Sequence, residues 1–232
     1  MKTKYVLFML AILSIVGWGP FLWSPSNNAS PGSSSWINNE ISAIKGQADN
    51  LDTSVLKLGL KAYSKARQEG YDRKGLLTII DYSKDSTERR MWVIDVNNEK
   101  VLFNTLVAHG KNSGNLKATS FSNDPRTLKS SFGVFLTDGT PYMGHNGYSL
   151  RLRGLEHGIN DNAYSRAIVV HGAWYVSPDV IRKYGQLGRS WGCPAVDEKL
   201  AKPLIDTIKN STLVFVYADN QRWLWSSHFL AG

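Results

Sequence analysis

Seven short runs rich in β-branched and aromatic residues set the limits on what this chain can fold into. They cover residues 76–81, 91–96, 101–108, 132–136, 149–153, 166–171 and 212–217, with turn-forming residues between them. Runs of that length and composition read as strands, and Asn97-Asn98 between two of them reads as a hairpin turn. Helical spacing is confined to three places. Leu51, Val55, Leu58, Ala62 and Ala66 recur on one face, with Asp49 or Asp52 as N-cap and Gly70 as the stop. Residues 178–184 carry Pro178 in a first-turn position, and 196–209 place Leu200, Leu204, Ile205 and Ile208 on one side, with Pro203 set to kink them. Many short strands and few helices predict a mainly β domain. It is expected to be mostly antiparallel, closed as a sandwich or barrel, and preceded by an N-terminal helix.

The ends differ from this middle. Lys2 and Lys4 precede an apolar stretch from Tyr5 to Val16 that runs on unevenly to Trp23, the pattern of an export signal. Residues 1–24 are read as a signal peptide or as an uncleaved membrane anchor, and both readings place the domain in the periplasm or cell envelope. A polar linker is expected over 25–46, a lead-in helix over 47–70, the main domain over 71–219 and an apolar tail over 220–232. With 232 residues and 42% hydrophobic content, the trimmed chain suffices for one domain with a sizeable core.

Charge and cysteine content exclude several functions. The formal charge is +8, or +6 without Lys2 and Lys4, yet basic residues are scattered and Arg89-Arg90 is the widest cluster. Nucleic acid is therefore not an expected partner; mild attraction to anionic polymers is. A single cysteine allows neither an internal disulfide nor a cysteine-ligated metal. No two histidines have i, i+4 spacing and no paired carboxylate motif accompanies them, so no metal is expected.

That single cysteine needs an explanation. Residues 166–171 form a buried-type strand ending in His171-Gly172, and twenty-two residues after His171 comes Cys193, in Arg189-Ser190-Trp191-Gly192-Cys193-Pro194-Ala195. A histidine at a strand end reaches the sheet rim. A glycine before the cysteine lets the backbone turn so that the N–H groups of Gly192 and Cys193 point at one spot, as an oxyanion requires. The imidazole would lower the thiol pKa or act as its base, which predicts alkylation of Cys193 persisting below about pH 7. The other ring nitrogen needs an acceptor, and a backbone carbonyl near Gly172 or a side chain could serve. A buried, inert cysteine is the competing reading; the polar, glycine-rich surroundings speak against it.

His171-Gly172 followed by Ser190-x-Gly192-Cys193 resembles the YkuD-type L,D-transpeptidase catalytic domain. Further stretches resemble its murein L,D-transpeptidase subfamily: His109-Gly110-Lys111, Phe121-Ser122-Asn123, 147–152, Gly154-Leu155-Glu156, 160–163 and 188–195. The resemblance spans roughly residues 75–218. It implies a β-rich fold with Cys193, His171, Gly192 and Ser190 as the catalytic set, and no metal or nucleotide cofactor. It also implies that Cys193 forms a thioester with a peptidoglycan tetrapeptide stem and passes the acyl group to an amine. Two departures stand out. An arginine commonly follows the family's cysteine by two positions, where this chain has Ala195, and the His-to-Cys interval is longer than the wider family's. Arg189, Arg151 and Arg153 are the replacement candidates for gripping a substrate carboxylate. Gly172, His109 and His145 are further candidates for the substrate cleft. An L,D-carboxypeptidase or hydrolase would use the same site with water, and a non-catalytic peptidoglycan-binding domain would keep only the fold.

Overall fold

The computed structural model describes residues 29–48, 50–72 and 74–231. The leader read over 1–24 lies outside the described residues; within them, no helix is long and apolar enough to cross a membrane.

Among the described residues, nine strands form one mixed sheet. They are β1 (Leu76–Asp81), β2 (Met91–Asp95), β3 (Lys100–Thr105), β4 (Gly133–Thr137), β5 (Tyr142–Gly144), β6 (Gly147–Gly154), β7 (Val169–Gly172), β8 (Ala195–Val196) and β9 (Leu213–Tyr217). The order is β3-β2-β1-β9-β4-β6-β7-β8, with β5 paired to β6. Beyond β3 the chain crosses back to the far edge, where Ala108 bridges Ala195 and Gly110 bridges Ser190. That return nearly closes the sheet into a barrel. Most neighbours are antiparallel as expected, but β1 pairs β9 in parallel and β7 pairs β8 in parallel. Parallel partners are joined by long crossovers, which local turn signals do not reveal.

Among the described residues, five helices dress the barrel: α1 (Ser34–Lys45), α2 (Thr53–Gln68), α3 (Pro178–Tyr184), α4 (Glu198–Ile208) and α5 (Gln221–Ser226). The first corrects the linker expected over 25–46. Ser33 caps α1 by accepting the Trp36 N–H at 3.2 Å, Ile37 and Ile44 are buried, and Trp36 stacks on Tyr63 of α2 with ring centroids 6.5 Å apart. α2 occupies the stretch read as a lead-in helix, with Asp52 as its N-cap. It lies on β1 and β9 so closely that a β-carbon on Gly59 would meet Ile79 Cδ1 at 2.9 Å. α4 runs through Pro203 without ending and packs on β7; there Gly172 gives it room, since a β-carbon would meet Ala201 Cβ at 2.9 Å. The tail docks. Trp223 of α5 is buried among Phe132 and Phe215, and its indole N–H donates to Glu156 at 3.0 Å.

Candidate active site

β7 begins later than the run 166–171 suggests. Ile168 N–H donates to Ala163 O and Ala167 N–H to Tyr164 O, closing a left-handed turn in which Ala167 takes φ +54°. The strand therefore starts at Val169, and the turn before it points Arg166 and the Ala167 carbonyl toward the cysteine loop. At the other end of β7, parallel register sets His171 beside Ala195, two residues past Cys193. This short β7–β8 pairing brings an imidazole and a thiol from distant stretches of chain to one cleft.

The cysteine loop is braced by Ser190. Its hydroxyl donates to the Cys193 carbonyl at 2.6 Å and accepts the Gly192 N–H at 3.1 Å. Gly192 adopts φ +121°, and a β-carbon there would lie 2.8 Å from Lys129 O, so no other residue fits. One expectation is overturned by this brace. The Gly192 N–H is spent on Ser190 and cannot serve an oxyanion; the Cys193 N–H carries no protein partner among the described residues.

The Cys193 thiol is buried, accepts the Val169 N–H at 3.5 Å and donates to Ala167 O at 3.8 Å. Burial pushes the thiol up, against smaller downward pulls from the Val169 N–H and the Arg166 charge. His171 Nδ1–H donates to Gly172 O at 2.8 Å, which fixes the tautomer and leaves Nε2 as the acceptor. Burial pushes this imidazole down. The resting pair is therefore thiol and neutral imidazole, not the thiolate expected from spacing alone: desolvation penalises both charged forms.

Around the pair is a cleft of about 480 Å³ lined by His145, Arg166, His171, Tyr175, Arg189, Ser190, Trp191 and Cys193, among others. Cys193, His171, Ser190, Arg189 and His145 are thus brought together, with Gly192 in the turn behind the thiol and Gly172 holding His171. Arg189 donates through Nη1 to Gly114 O at 3.1 Å and to Asn115 Oδ1 at 2.7 Å, leaving Nε and Nη2 unspent. Arg151 and Arg153 do not line this cleft. Arg151 stacks over Tyr142 and Tyr164 and donates to Tyr164 O, and Arg153 stacks over Tyr164. Nor does His109, which is buried: it takes Arg90 Nη2 on Nδ1 at 2.8 Å and donates from Nε2 to Gly114 O at 3.3 Å.

Among the cleft residues that escaped the sequence reading, Arg166 and Tyr175 bear on the thiol. Arg166 opens the run 166–171 that reads as a strand, yet its guanidinium donates to Ser122 O at 2.7 Å, Ser131 Oγ at 2.5 Å and Lys129 O at 2.7 Å. It thereby pins the loop behind Gly192 while lending charge to the thiol. Tyr175 lines the cleft, and burial with the neighbouring Cys193 pushes its hydroxyl up to about 12, so it remains a donor. Ala195 explains its own departure: it is fully buried in a small cluster with Ala108, Ala173, Val176 and Leu187, where an arginine has no room.

The family model of the YkuD_2 L,D-transpeptidase catalytic domain matches residues 47–217, most of the chain. The chain belongs to the L,D-transpeptidase catalytic-domain family. Among solved structures, an L,D-transpeptidase from Stackebrandtia nassauensis is 14% identical with a TM-score of 0.37, over 81% of this chain and 78% of that one. One from Mycobacterium smegmatis is 15% identical with a TM-score of 0.36, over 62% of this chain and 59% of that one. L,D-transpeptidase 1 from Mycobacterium tuberculosis is 13% identical with a TM-score of 0.35, over 62% of each chain. This chain thus spans less than two thirds of the mycobacterial proteins. No curated protein matches it. Among the described residues no group of three or more His, Cys, Asp or Glu is placed to hold a metal. Ser190 and Gly192 brace the turn behind the Cys193 thiol, and His171 is the imidazole that shares its cleft.

Proposed function

We propose that the protein is an exported peptidoglycan L,D-transpeptidase that works through a thioester on Cys193. The observation that carries this is a cleft holding a buried thiol and an imidazole whose tautomer is fixed by Gly172 O. When a tetrapeptide stem enters, the thiol proton passes to His171 Nε2 as sulfur attacks the carbonyl before the terminal D-alanine. Because the resting groups are both neutral, proton transfer accompanies attack instead of preceding it. The carbonyl oxygen takes up charge opposite the Cys193 N–H, and the Tyr175 hydroxyl supplies a second donor in place of Gly192. The imidazolium then protonates the departing D-alanine amine. Arg189, with three N–H bonds unspent, grips the D-alanine carboxylate. An amine from a neighbouring stem finishes the cycle. Residues 1–24 support export to the cell envelope.

Hydrolysis by water uses the same thioester, so the products decide between the two. The soluble protein, incubated with a purified tetrapeptide muropeptide, is expected to yield cross-linked dimer by mass spectrometry. Tripeptide alone would make it a carboxypeptidase, and no turnover at all would leave a binding domain.

A further inference from the structure

His109-Gly110-Lys111 takes no part in the chemistry above, yet it lies directly against the cysteine loop. Ser190 N–H donates to His109 O at 3.0 Å, and Lys111 N–H donates to Ser190 O at 2.7 Å. Gly110 sits so close that a β-carbon on it would lie 2.9 Å from Gly192 Cα and 2.5 Å from Leu128 O. The Ser130 hydroxyl joins these two glycines: it accepts the Gly110 N–H at 2.9 Å and donates to the Gly192 carbonyl at 3.1 Å. Ser130 is 1% exposed and does not line the cleft, so it meets the cysteine loop from behind.

Ser130 is itself held on several sides. Its N–H donates to the buried Ser113 Oγ at 2.8 Å, and its carbonyl accepts the Ser122 N–H at 3.1 Å. The residues before and after it are taken by Arg166, through Lys129 O and Ser131 Oγ. This support matters because of what Gly192 lacks. Without a β-carbon, little opposes rotation of the peptide plane between Gly192 and Cys193. The Ser190 brace holds the Gly192 N–H and the Cys193 carbonyl, which belong to the peptide planes on either side. The plane between them is fastened by Ser130.

A trans peptide sends its C=O and N–H in opposite directions. With the Gly192 oxygen held on the Ser130 side, the Cys193 N–H is turned the other way, toward the cleft. We propose that Ser130 is a positioning residue that locks the Gly192–Cys193 peptide plane and so aims the Cys193 N–H at the substrate carbonyl oxygen. The inference rests on the thioester reading and adds to it a residue from a distant loop. Ser130 touches no substrate and moves no proton. As sulfur attacks, the C–S bond forms, the carbonyl π pair moves onto oxygen, and the thiol proton goes to His171 Nε2. The charged oxygen then meets an N–H already in place. With the plane flipped it would meet the Gly192 carbonyl instead, and like partial charges would oppose the attack.

The test compares two reactions of the same thiol in the full chain. Release of D-alanine from a tetrapeptide donor passes through an oxyanion; alkylation of Cys193 by iodoacetamide displaces iodide and forms none. Ser130→Ala is expected to lower kcat for D-alanine release by about 10- to 100-fold, part of what loss of one oxyanion donor costs. KM and the alkylation rate at the same pH should stay within about twofold. Ser130→Thr, which keeps the hydroxyl, should recover most of kcat. Ser113→Ala, which frees the Ser130 N–H, should show the same split more weakly, and it carries the test where Ser130→Ala is not recovered folded. A kcat for Ser130→Ala within about twofold of wild type, or alkylation that falls in step with kcat, would overturn the assignment. p-Nitrophenyl acetate, an acyl donor unrelated to peptidoglycan, separates the two readings. A wild type that it acylates but that releases no D-alanine overturns the transpeptidase reading, and Ser130→Ala is then judged by the same split on the ester.

Discussion

Cys193 is 7% exposed, and its nearest polar partners are a backbone N–H and a backbone carbonyl. Burial raises its pKa, so alkylation by iodoacetamide in the free protein should rise only above the ordinary thiol value of about 8.5. Arg166 opposes that rise with its charge, and Arg166→Gln should move the alkylation curve further to alkaline pH. A free-protein profile already high below pH 7 would mean that the thiolate is the resting state. Arg189 gives a second expectation. Loss of its fork in Arg189→Ala should cost about 1.5–3 kcal/mol, roughly 10- to 150-fold in kcat/KM on a tetrapeptide donor, with Arg189→Lys falling in between. Arg151→Ala should be mild by comparison, because Arg151 spends itself on Tyr142 and Tyr164. If Arg189→Ala stays within about twofold of wild type, the carboxylate is held elsewhere. At this scale the sequence spoke through residue types: one cysteine after glycine and one histidine at a strand end. Arg166 was silent because its position depends on Ala167 taking φ +54°, which alanine does not advertise.

The elements most legible in the sequence were those whose side chains go to the core. β1, β2 and β9 are almost wholly buried, and α3 carries Ser177 as N-cap, Pro178 behind it and Gly185 at φ +73° as its stop. β8 has two residues and β5 has three exposed ones, so neither makes a run; each is a strand only through its partner. α1 was missed because serine and asparagine hide the spacing of Ile37, Ile41 and Ile44. The tail shows most plainly what a sequence leaves open, since Trp223 and Trp225 are alike in composition and opposite in role. Trp223 is 1% exposed, and Trp225 is 84% exposed. Trp223 and Ser227 both donate to Glu156 Oε1, while Glu156 Oε2 receives the Val134 N–H at 2.7 Å, so α5 is tied to the start of β4 through one carboxylate. Trp223→Ala should therefore cost about 3–5 kcal/mol in denaturant unfolding. Trp225→Ala should stay within about 0.5 kcal/mol. Equal effects would mean that the tail does not dock.

For the whole molecule, two buried groups pull acid stability in opposite directions, and the buried His171 imidazole adds to the first of them. His109 is held neutral by burial and then by the adjacent Arg90 charge, which bring its pKa from 6.5 down to about 4. Between those values the unfolded chain binds a proton that the folded protein refuses. Its contribution to stability is therefore full above pH 6.5 and is lost as pH falls toward about 4. At about 1.4 kcal/mol per unit, the whole loss is on the order of 3 kcal/mol. Glu40 of α1 runs the other way. Its carboxyl is buried with Oε2 unpaired, and burial, then Glu99, raises its pKa from 4.5 to about 7. The folded protein holds that proton where the unfolded chain releases it, so this contribution is full below pH 4.5 and is lost as pH rises through 7. Across the shared window the wild type should show a shallow pH dependence that reflects cancellation, not the absence of titrating groups. Glu40→Gln should expose the His109 slope, with urea midpoints falling steadily on acidification. His109→Gln, which keeps an acceptor for Arg90, should expose the Glu40 slope, with midpoints rising over the same range. If His109→Gln and wild type trace the same curve, His109 is not the buried base that sets acid lability.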